Sequence, residues 1–288
     1  MKDVMTRALL FEGRAMISVW DITAAAQKGA ALHGMSDDAA NIYGKLLSVT
    51  AYMGAGLKNP SDRLTVSIDG DGKLGRAVAC AEAGGKIRGY VSEPKARLRA
   101  GEQPSAMLGE GVIGVIRDLG MESPYRGVGR IVKGDVTGDF AGYFLLSEQT
   151  PTALSLAAEF EKGECLVCGG AAAVPLPGCG EEYIVMLEDI MRNFTDIGAA
   201  LKKSAPRELI EEHFGHFSPD FLPDISPEYR CTCSRGRSAD MIRAIGEKEA
   251  RSILKDSGVI DVHCEFCGAN YAFYAADIDK LFKKGVGE

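Results

Sequence analysis

Alternating apolar and polar positions in the first third of the chain predict paired strands broken by two helices. Arg7 to Gly13 runs into a glycine turn, and Arg14 to Trp20 alternates after it, the pattern of a strand pair. Thr23 is the expected N-cap of a helix from Ala24 to Leu32, stopped by Gly34. Ser36 is expected to cap a second helix, Asp37 to Gly54, with two aspartates in its first turn and an interior rich in Ala, Leu, Val and Met. Arg63 to Asp69 has period two and reads as a strand. Gly70-Asp-Gly-Lys-Leu-Gly75 matches G-x-G-x-x-G, but Arg76 to Ala81 continues as a strand rather than a helix, and Gly84-Gly85 turns it back. A glycine hairpin therefore displaces the dinucleotide reading.

Lys86 to Val91 is a further strand, followed by a loop over residues 95–111. Val112 to Arg117 and Gly127 to Gly134 read as paired strands, with Tyr143 to Ser147 closing the set. Ser147 to Thr152 reads as the entry turn of a helix capped by Thr152. Cys165-Leu-Val-Cys168, running into Gly169 to Val174, reads as a core strand carrying buried thiols, and Cys80 as another buried thiol. After the boundary at Pro175 to Gly178 the period changes. Glu181 to Phe194 and Pro206 to Phe214 are expected helices, and Phe217 to Pro227 is a proline-punctuated connector with the apolar residues Phe217, Phe221, Leu222 and Ile225.

The last sixty residues predict a small module: a helix Ala239 to Ile245 capped by Ser238, a helix Glu247 to Lys255 stopped by Gly258, hairpin arms Val259 to Cys264 and Asn270 to Tyr274, and a final helix Asp277 to Lys284. The expected fold class is α+β. It comprises an N-terminal domain (1–177) of mostly antiparallel strands with packed helices, a helical linker (178–229), and a C-terminal four-cysteine zinc domain (230–288).

The chemistry concentrates in that module. Cys231-Thr-Cys233 and Cys264-Glu-Phe-Cys267 form two close thiol pairs, which can surround one tetrahedral zinc at about 2.3 Å per sulfur. Residues i and i+2 of a flat strand lie roughly 7 Å apart, so Cys231 and Cys233 favour a turn. The same pair could close only as a strained, oxidisable disulfide ring, so the spacing allows either a permanent structural zinc ribbon or a redox-sensitive one. Gly268 follows the second pair, where a left-handed residue aims backbone N–H groups at a sulfur. His213 and His216 lack any nearby cysteine or metal motif and read as surface and cap residues.

Composition narrows the function. Of the 288 residues, 46% are hydrophobic and 25% charged, the profile of a soluble globular chain. The net charge is −7, and Glu228 to Glu288 carries ten Lys/Arg against ten Asp/Glu, which counts against a nucleic-acid reader. There is no secretory h-region and no eighteen-residue apolar run, and eight cysteines in such a chain point to a reducing cytoplasm. Two other readings remain: a zinc-ribbon regulator binding nucleic acid, and a thiol oxidoreductase using Cys165 and Cys168.

Tyr229-Arg-Cys-Thr-Cys-Ser-Arg235 and Cys264-Glu-Phe-Cys-Gly-Ala-Asn-Tyr-Ala-Phe273 resemble the zinc signature of the bacterial redox-regulated holdases, the thirty-three-kilodalton heat-shock chaperone family. Gly70 to Gly75, Arg88-Gly-Tyr-Val91 and Ser147 to Thr152 resemble its N-terminal domain. The chain departs from the family at Val174, where members usually carry glutamine, and in having Cys165, Cys168 and Cys179. The resemblance implies an ATP-independent chaperone rather than an enzyme, acting in the cytoplasm. One zinc is held in the reduced, inactive state by Cys231, Cys233, Cys264 and Cys267. Oxidation pairs Cys231 with Cys233 and Cys264 with Cys267, releases the zinc and unfolds residues 178–229. The resemblance further implies unfolding proteins as partners, with neither nucleic acid nor membrane, and a monomer that dimerises when oxidised.

Overall fold

Val4–Leu10 (β1) and Ala15–Asp21 (β2) alternate as expected and pair antiparallel, Met5 opposite Trp20 and Leu10 opposite Ala15. The structure, a computed structural model, describes residues 3–282. It divides into two compact units, one ending at Arg230 and the other beginning at Cys231.

In the first unit, Thr23–His33 (α1) and Asp37–Gly54 (α2) follow β2. Thr23 is not the cap of α1. The Asp3 carboxylate accepts from the N–H groups of Ala24 and Ala25, and the Thr23 hydroxyl instead accepts from the N–H of Cys168. Gly34 ends α1 at φ +53°, and the Ser36 hydroxyl caps α2 through the N–H of Ala39.

Arg63–Gly70 (β3), Arg76–Glu82 (β4), Lys86–Val91 (β5), Gly111–Asp118 (β6) and Tyr125–Ile131 (β7) form a second antiparallel set in the order β5-β4-β3-β6-β7. The G-x-G-x-x-G segment is the turn between β3 and β4, as the hairpin reading required.

Two segments differ from expectation. Tyr143 to Ser147 is no strand but the end of a helix, Val136–Leu146 (α3). Asp135 caps it through the N–H of Gly138, and the buried Asp139 carboxylate gathers the N–H groups of Val132, Lys133 and Asp135. Thr152 opens a strand rather than a helix: Ala153–Glu161 (β8) pairs with Glu164–Pro175 (β9), and β9 pairs in turn with β2. Aromatic and leucine content drew α3 toward a strand assignment. The alanines of β8 concealed a strand whose partner fixes it.

Helix α2 packs against β8 and β9 on one side and against β3, β4 and β5 on the other. Glycines permit both approaches: a methyl at Gly44 would lie 2.7 Å from the Ala158 methyl, and one at Gly54 2.5 Å from that of Ala81. Trp20, fully buried, donates its indole N–H to Ser48 of α2 at 2.8 Å. Along β2, Ala15, Ile17 and Val19 point to the opposite face, where the segment after Pro175 packs.

That segment forms Glu181–Met191 (α4), Ile197–Leu201 (α5) and Pro206–Phe214 (α6). Leu187, Phe194, Ile197, Leu209, Ile210 and Phe214 bury themselves on the alanine-rich outer face of β2 and β9. The chain then lays Asp220–Phe221 (β10) antiparallel on β1 and Glu228–Tyr229 (β11) parallel on β5. The first sheet therefore runs β10-β1-β2-β9-β8 and the second begins at β11.

The second unit holds Arg235–Ile245 (α7), Glu247–Ser257 (α8), Ile260–His263 (β12), Asn270–Phe273 (β13) and Ala275–Phe282 (α9). The cap of α7 is Ser234, through the N–H of Arg237, not Ser238, which lies one turn inside and is buried. Lys283 and Lys284, the expected end of the last helix, lie outside the described residues. The core of this unit is small: Ala239, Ile242, Ala250, Ile260, Phe273 and Ile278. No described helix is long and apolar enough to cross a membrane.

Candidate metal centre

Two backbone devices present the four sulfurs. Cys231 and Cys233 lie in a non-strand stretch that runs into the extended N-cap residue Ser234, which starts α7 at once. The Arg237 guanidinium steadies that stretch by donating to the Thr232 hydroxyl at 2.6 Å. Cys264 and Cys267 occupy the tight turn between β12 and β13. The N–H groups of Cys267 and Gly268 both donate to the carbonyl of Cys264, and the N–H of Cys264 to that of Ala269. Gly268 sits at φ +71°, the left-handed conformation that its position after the second pair suggested.

The ligand atoms of Cys231, Cys233, Cys264 and Cys267 all lie within 4.8 Å of one another. Cys231 Sγ is 3.6 Å from Cys264 Sγ, and Cys233 Sγ is 3.4 Å from Cys267 Sγ. Four sulfurs on a tetrahedron of about 2.3 Å radius stand about 3.8 Å apart, so the donor set fits one zinc ion. An all-sulfur set without a carboxylate selects a thiophilic ion over magnesium or calcium. No other group of three or more Cys, His, Asp or Glu side chains with metal-binding spacing occurs among the described residues.

The sulfurs have outer partners. The N–H of Cys233 donates to Cys231, and that of Ala269 to Cys267. The Tyr271 hydroxyl lies 3.2 Å from Cys233 Sγ. Crowding splits their titration. Burial pushes the Cys231 thiol up, and the neighbouring sulfurs add to it; burial likewise raises Cys267. Burial acts upward on Cys233 too, but hydrogen bonds from Tyr271 and the other sulfurs outweigh it and hold this thiol at about 7. The bond to Cys233 in turn lifts the Tyr271 phenol to about 12. Tyr271 was not legible as a partner from sequence. The available signal was a tyrosine on the strand leaving the second cysteine pair, and only the β12–β13 register turns it toward Cys233.

The other cysteines stand apart. A bulge at Leu166, where β8 skips one residue of β9, rotates Cys165 onto the α2 face together with Cys168, despite their i, i+3 spacing. Cys168 is fully buried and donates its S–H to the carbonyl of Gly44 at 3.3 Å. Burial raises the Cys80 and Cys168 thiols and pushes Cys165 up to about 12. At pH 8 a thiol of pKa 12 is ionised only to about one part in ten thousand, and the thiolate is the reactive form. The native protein, stripped of metal, is therefore expected to be alkylated by iodoacetamide at Cys231, Cys233, Cys264 and Cys267. Cys80, Cys165 and Cys168 should react only in denaturant. Peptide mass mapping checks this, and fast native labelling of Cys165 or Cys168 would reopen the oxidoreductase reading. His213 packs on the Phe194 ring at 4.8 Å and His216 on Phe217 at 3.8 Å, in neither case within a metal-binding group.

Comparison with known proteins gives a consistent answer. The family model described as Hsp33 protein matches residues 3–274. A 33 kDa chaperonin of Desulforamulus reducens is 30% identical over 290 residues, covering 99% of this chain and 98% of that protein. One from Clostridioides difficile is 30% identical over 292 residues, covering 99% and 100%. Among solved structures, the 33 kDa chaperonin (heat shock protein 33 homolog) of Thermotoga maritima superposes with a TM-score of 0.85 at 25% identity, covering 98% of each chain.

Proposed function

Because the chain belongs to the Hsp33 protein family of chaperones, we propose that it is a redox-regulated, ATP-independent holdase that keeps unfolding proteins from aggregating under oxidative stress. The observation that supports this most directly is the coincidence of four mutually adjacent thiols with a unit whose buried core is six side chains. In the reduced state Cys231, Cys233, Cys264 and Cys267 would hold one zinc, which keeps the sulfurs as thiolates and ties α7 to the β12–β13 turn. Held as thiolates, these four sulfurs are the nucleophiles toward an oxidant. With hydrogen peroxide, Cys231 and Cys233 form one S–S bond and Cys264 and Cys267 another. Each pair of sulfurs gives two electrons to one peroxide, which takes two protons from solvent and leaves as two waters.

Four thiolate donors are thereby lost, and with them the means of holding an ion. A unit this poor in buried carbon then loses its fold. Residues 178–229, joined to Cys231 through Arg230, are left to their own packing on β1, β2 and β9. They open, and the apolar surface on both sides of that packing becomes available to clients. The reading includes a monomer when reduced and a homodimer when oxidised, a cytoplasmic setting, and neither nucleic acid, membrane nor enzymatic turnover. The balanced charge of the cysteine module and the burial of Cys165 and Cys168 weigh against the two rival readings.

The test follows zinc and holding activity together. Peroxide with mild heat should release one zinc per chain, detected with a chromogenic chelator, and switch on suppression of aggregation of a chemically unfolded reporter protein. Oxidised protein that holds the reporter no better than reduced protein rejects the switch.

A further inference from the structure

Residues Asp220 to Arg230 do more than join two units: they close the open edge of both large sheets. On β1, the N–H and C=O of Met5 pair with Ile225 at 2.8 and 3.0 Å, and the carbonyl of Arg7 accepts from Leu222 at 2.9 Å. On β5, the carbonyls of Gly85 and Ile87 accept from the N–H groups of Glu228 and Arg230, each at 2.9 Å. The next outward-facing carbonyl of β5, Gly89, accepts from the Tyr229 hydroxyl at 3.1 Å. The phenol thus stands in for the strand residue that the short β11 does not supply.

Its ring lies in a built slot. Tyr229 is 4% exposed, and a methyl on Gly29 of α1 would lie 2.8 Å from its ring, so the glycine makes the space. Lys28 fixes the backbone by donating to the Tyr229 carbonyl at 3.1 Å. Without residues 220–230, β1 and β5 would present unpaired strand edges, the template to which another chain adds.

We propose that this segment is a resident stand-in for client. Once it leaves, the β5 edge and its aromatic slot, together with the β1 edge, take up extended segments of unfolding polypeptide by strand addition. Main-chain pairing is indifferent to sequence, which suits a binder of many clients, and the slot adds a preference for a segment carrying tyrosine or phenylalanine. The inference deepens the holdase reading and rests on it, naming where and in what conformation clients bind.

The probe is the synthetic peptide Asp-Phe-Leu-Pro-Asp-Ile-Ser-Pro-Glu-Tyr-Arg, the sequence of residues 220–230. It is titrated against the full chain as oxidised wild type and as reduced, zinc-loaded Tyr229→Ala, in which the slot is emptied without oxidation. The peptide should bind both, and should displace an unfolded reporter protein from the oxidised chain. Methylating the two amide nitrogens corresponding to Glu228 and Arg230 should weaken binding at least about tenfold, since each lost hydrogen bond is worth a factor of about five. In amide exchange, Met5, whose N–H donates to Ile225, and Ile87, paired with Tyr229 in the β5–β11 ladder, should lose protection on oxidation and regain it with bound client.

An N-methylated peptide that binds as well as the parent overturns the proposal. So do edge amides that stay unprotected while client is held. Protection that returns with rising protein concentration and no client would assign the edges to a second copy instead, and also overturns it. If oxidised wild type holds no reporter, the redox reading fails on its own, and the peptide series on reduced Tyr229→Ala still decides the edge.

Discussion

Chelating the metal from the reduced protein, or replacing Cys231 by serine, is expected to unfold residues 231–282 while β1 to β9 stay folded. The reason is the balance of forces inside the second unit. A chain of about sixty residues buries only about 60% of its unfolded surface and is marginal without help. Here the buried apolar set is Ala239, Ile242, Ala250, Ile260, Phe273 and Ile278, two of them alanines. Its ion pairs, Arg251 with Glu247 and Asp279 at 2.8 and 2.9 Å and Arg235 with Asp277 at 3.0 Å, are half-exposed, and such pairs are worth about 0–1 kcal/mol each. Structural zinc contributes about 10–16 kcal/mol in comparable small modules, which nothing else in the unit replaces.

Cys231→Ser removes one of the four proposed ligands. It should weaken metal binding by more than the ten- to hundredfold typical of losing an outer partner. Amide dispersion in NMR spectra, followed during titration with a chelator, reads the result: signals of residues 231–282 collapse to random-coil positions while those of β1 to β9 stay. A second unit that keeps its dispersion after complete metal removal would leave oxidation without a conformational consequence.

Phe214→Ala is expected to loosen the helical segment and raise holding activity in the reduced protein. Phe214 is fully buried, stacked on Phe194 with ring centroids 6.0 Å apart, and seated on the outer face of β1 and β2. Truncating a buried phenylalanine costs about 3–5 kcal/mol, which multiplies the open population by roughly two to four powers of ten. Against a total domain stability of about 5–15 kcal/mol, that is enough to make opening visible below the wild-type temperature. Limited proteolysis in the Lys202 to Ala205 turn, beside reporter aggregation assays on zinc-loaded protein, measures both sides. Val185→Ala, on the exposed side of α4, is the control and should change neither. Faster cleavage with no gain in holding would mean that this segment is not the gate.

Much of this was readable in one dimension. The hairpin of β1 and β2, the Ser36 cap, the strands of the second sheet and the helices α4 and α6 followed from alternation, capping and glycine or proline punctuation. Each of those signals acts within a few residues. The four-sulfur cluster was legible because two close cysteine pairs have few alternatives, and Gly268 is a local requirement of the turn. The failures share a cause. Helix α3 carries two glycines and a run of Tyr, Phe and Leu, so propensity favoured a strand; what makes it a helix is the Asp135 cap, the Asp139 bonds and the packing of Tyr143 over Gly127 and Gly129. Strand β8 looked like a helix start because its partner β9 and the close approach of α2 at Ala158 lie far away in the chain.

By itself, then, the sequence determined which stretches could be strands or helices, where they must turn, and that four thiols would meet. Backbone conformation, caps and ligand chemistry are short-range properties, and nearby side chains encode them. The tertiary structure alone decided that β2 pairs with β9, that a bulge turns Cys165 and Cys168 to the same buried face, and that Tyr271 reaches Cys233. It alone seated residues 220–230 on two sheet edges. Those outcomes depend on which distant surfaces fit together with their hydrogen bonds satisfied, a choice that no local pattern carries.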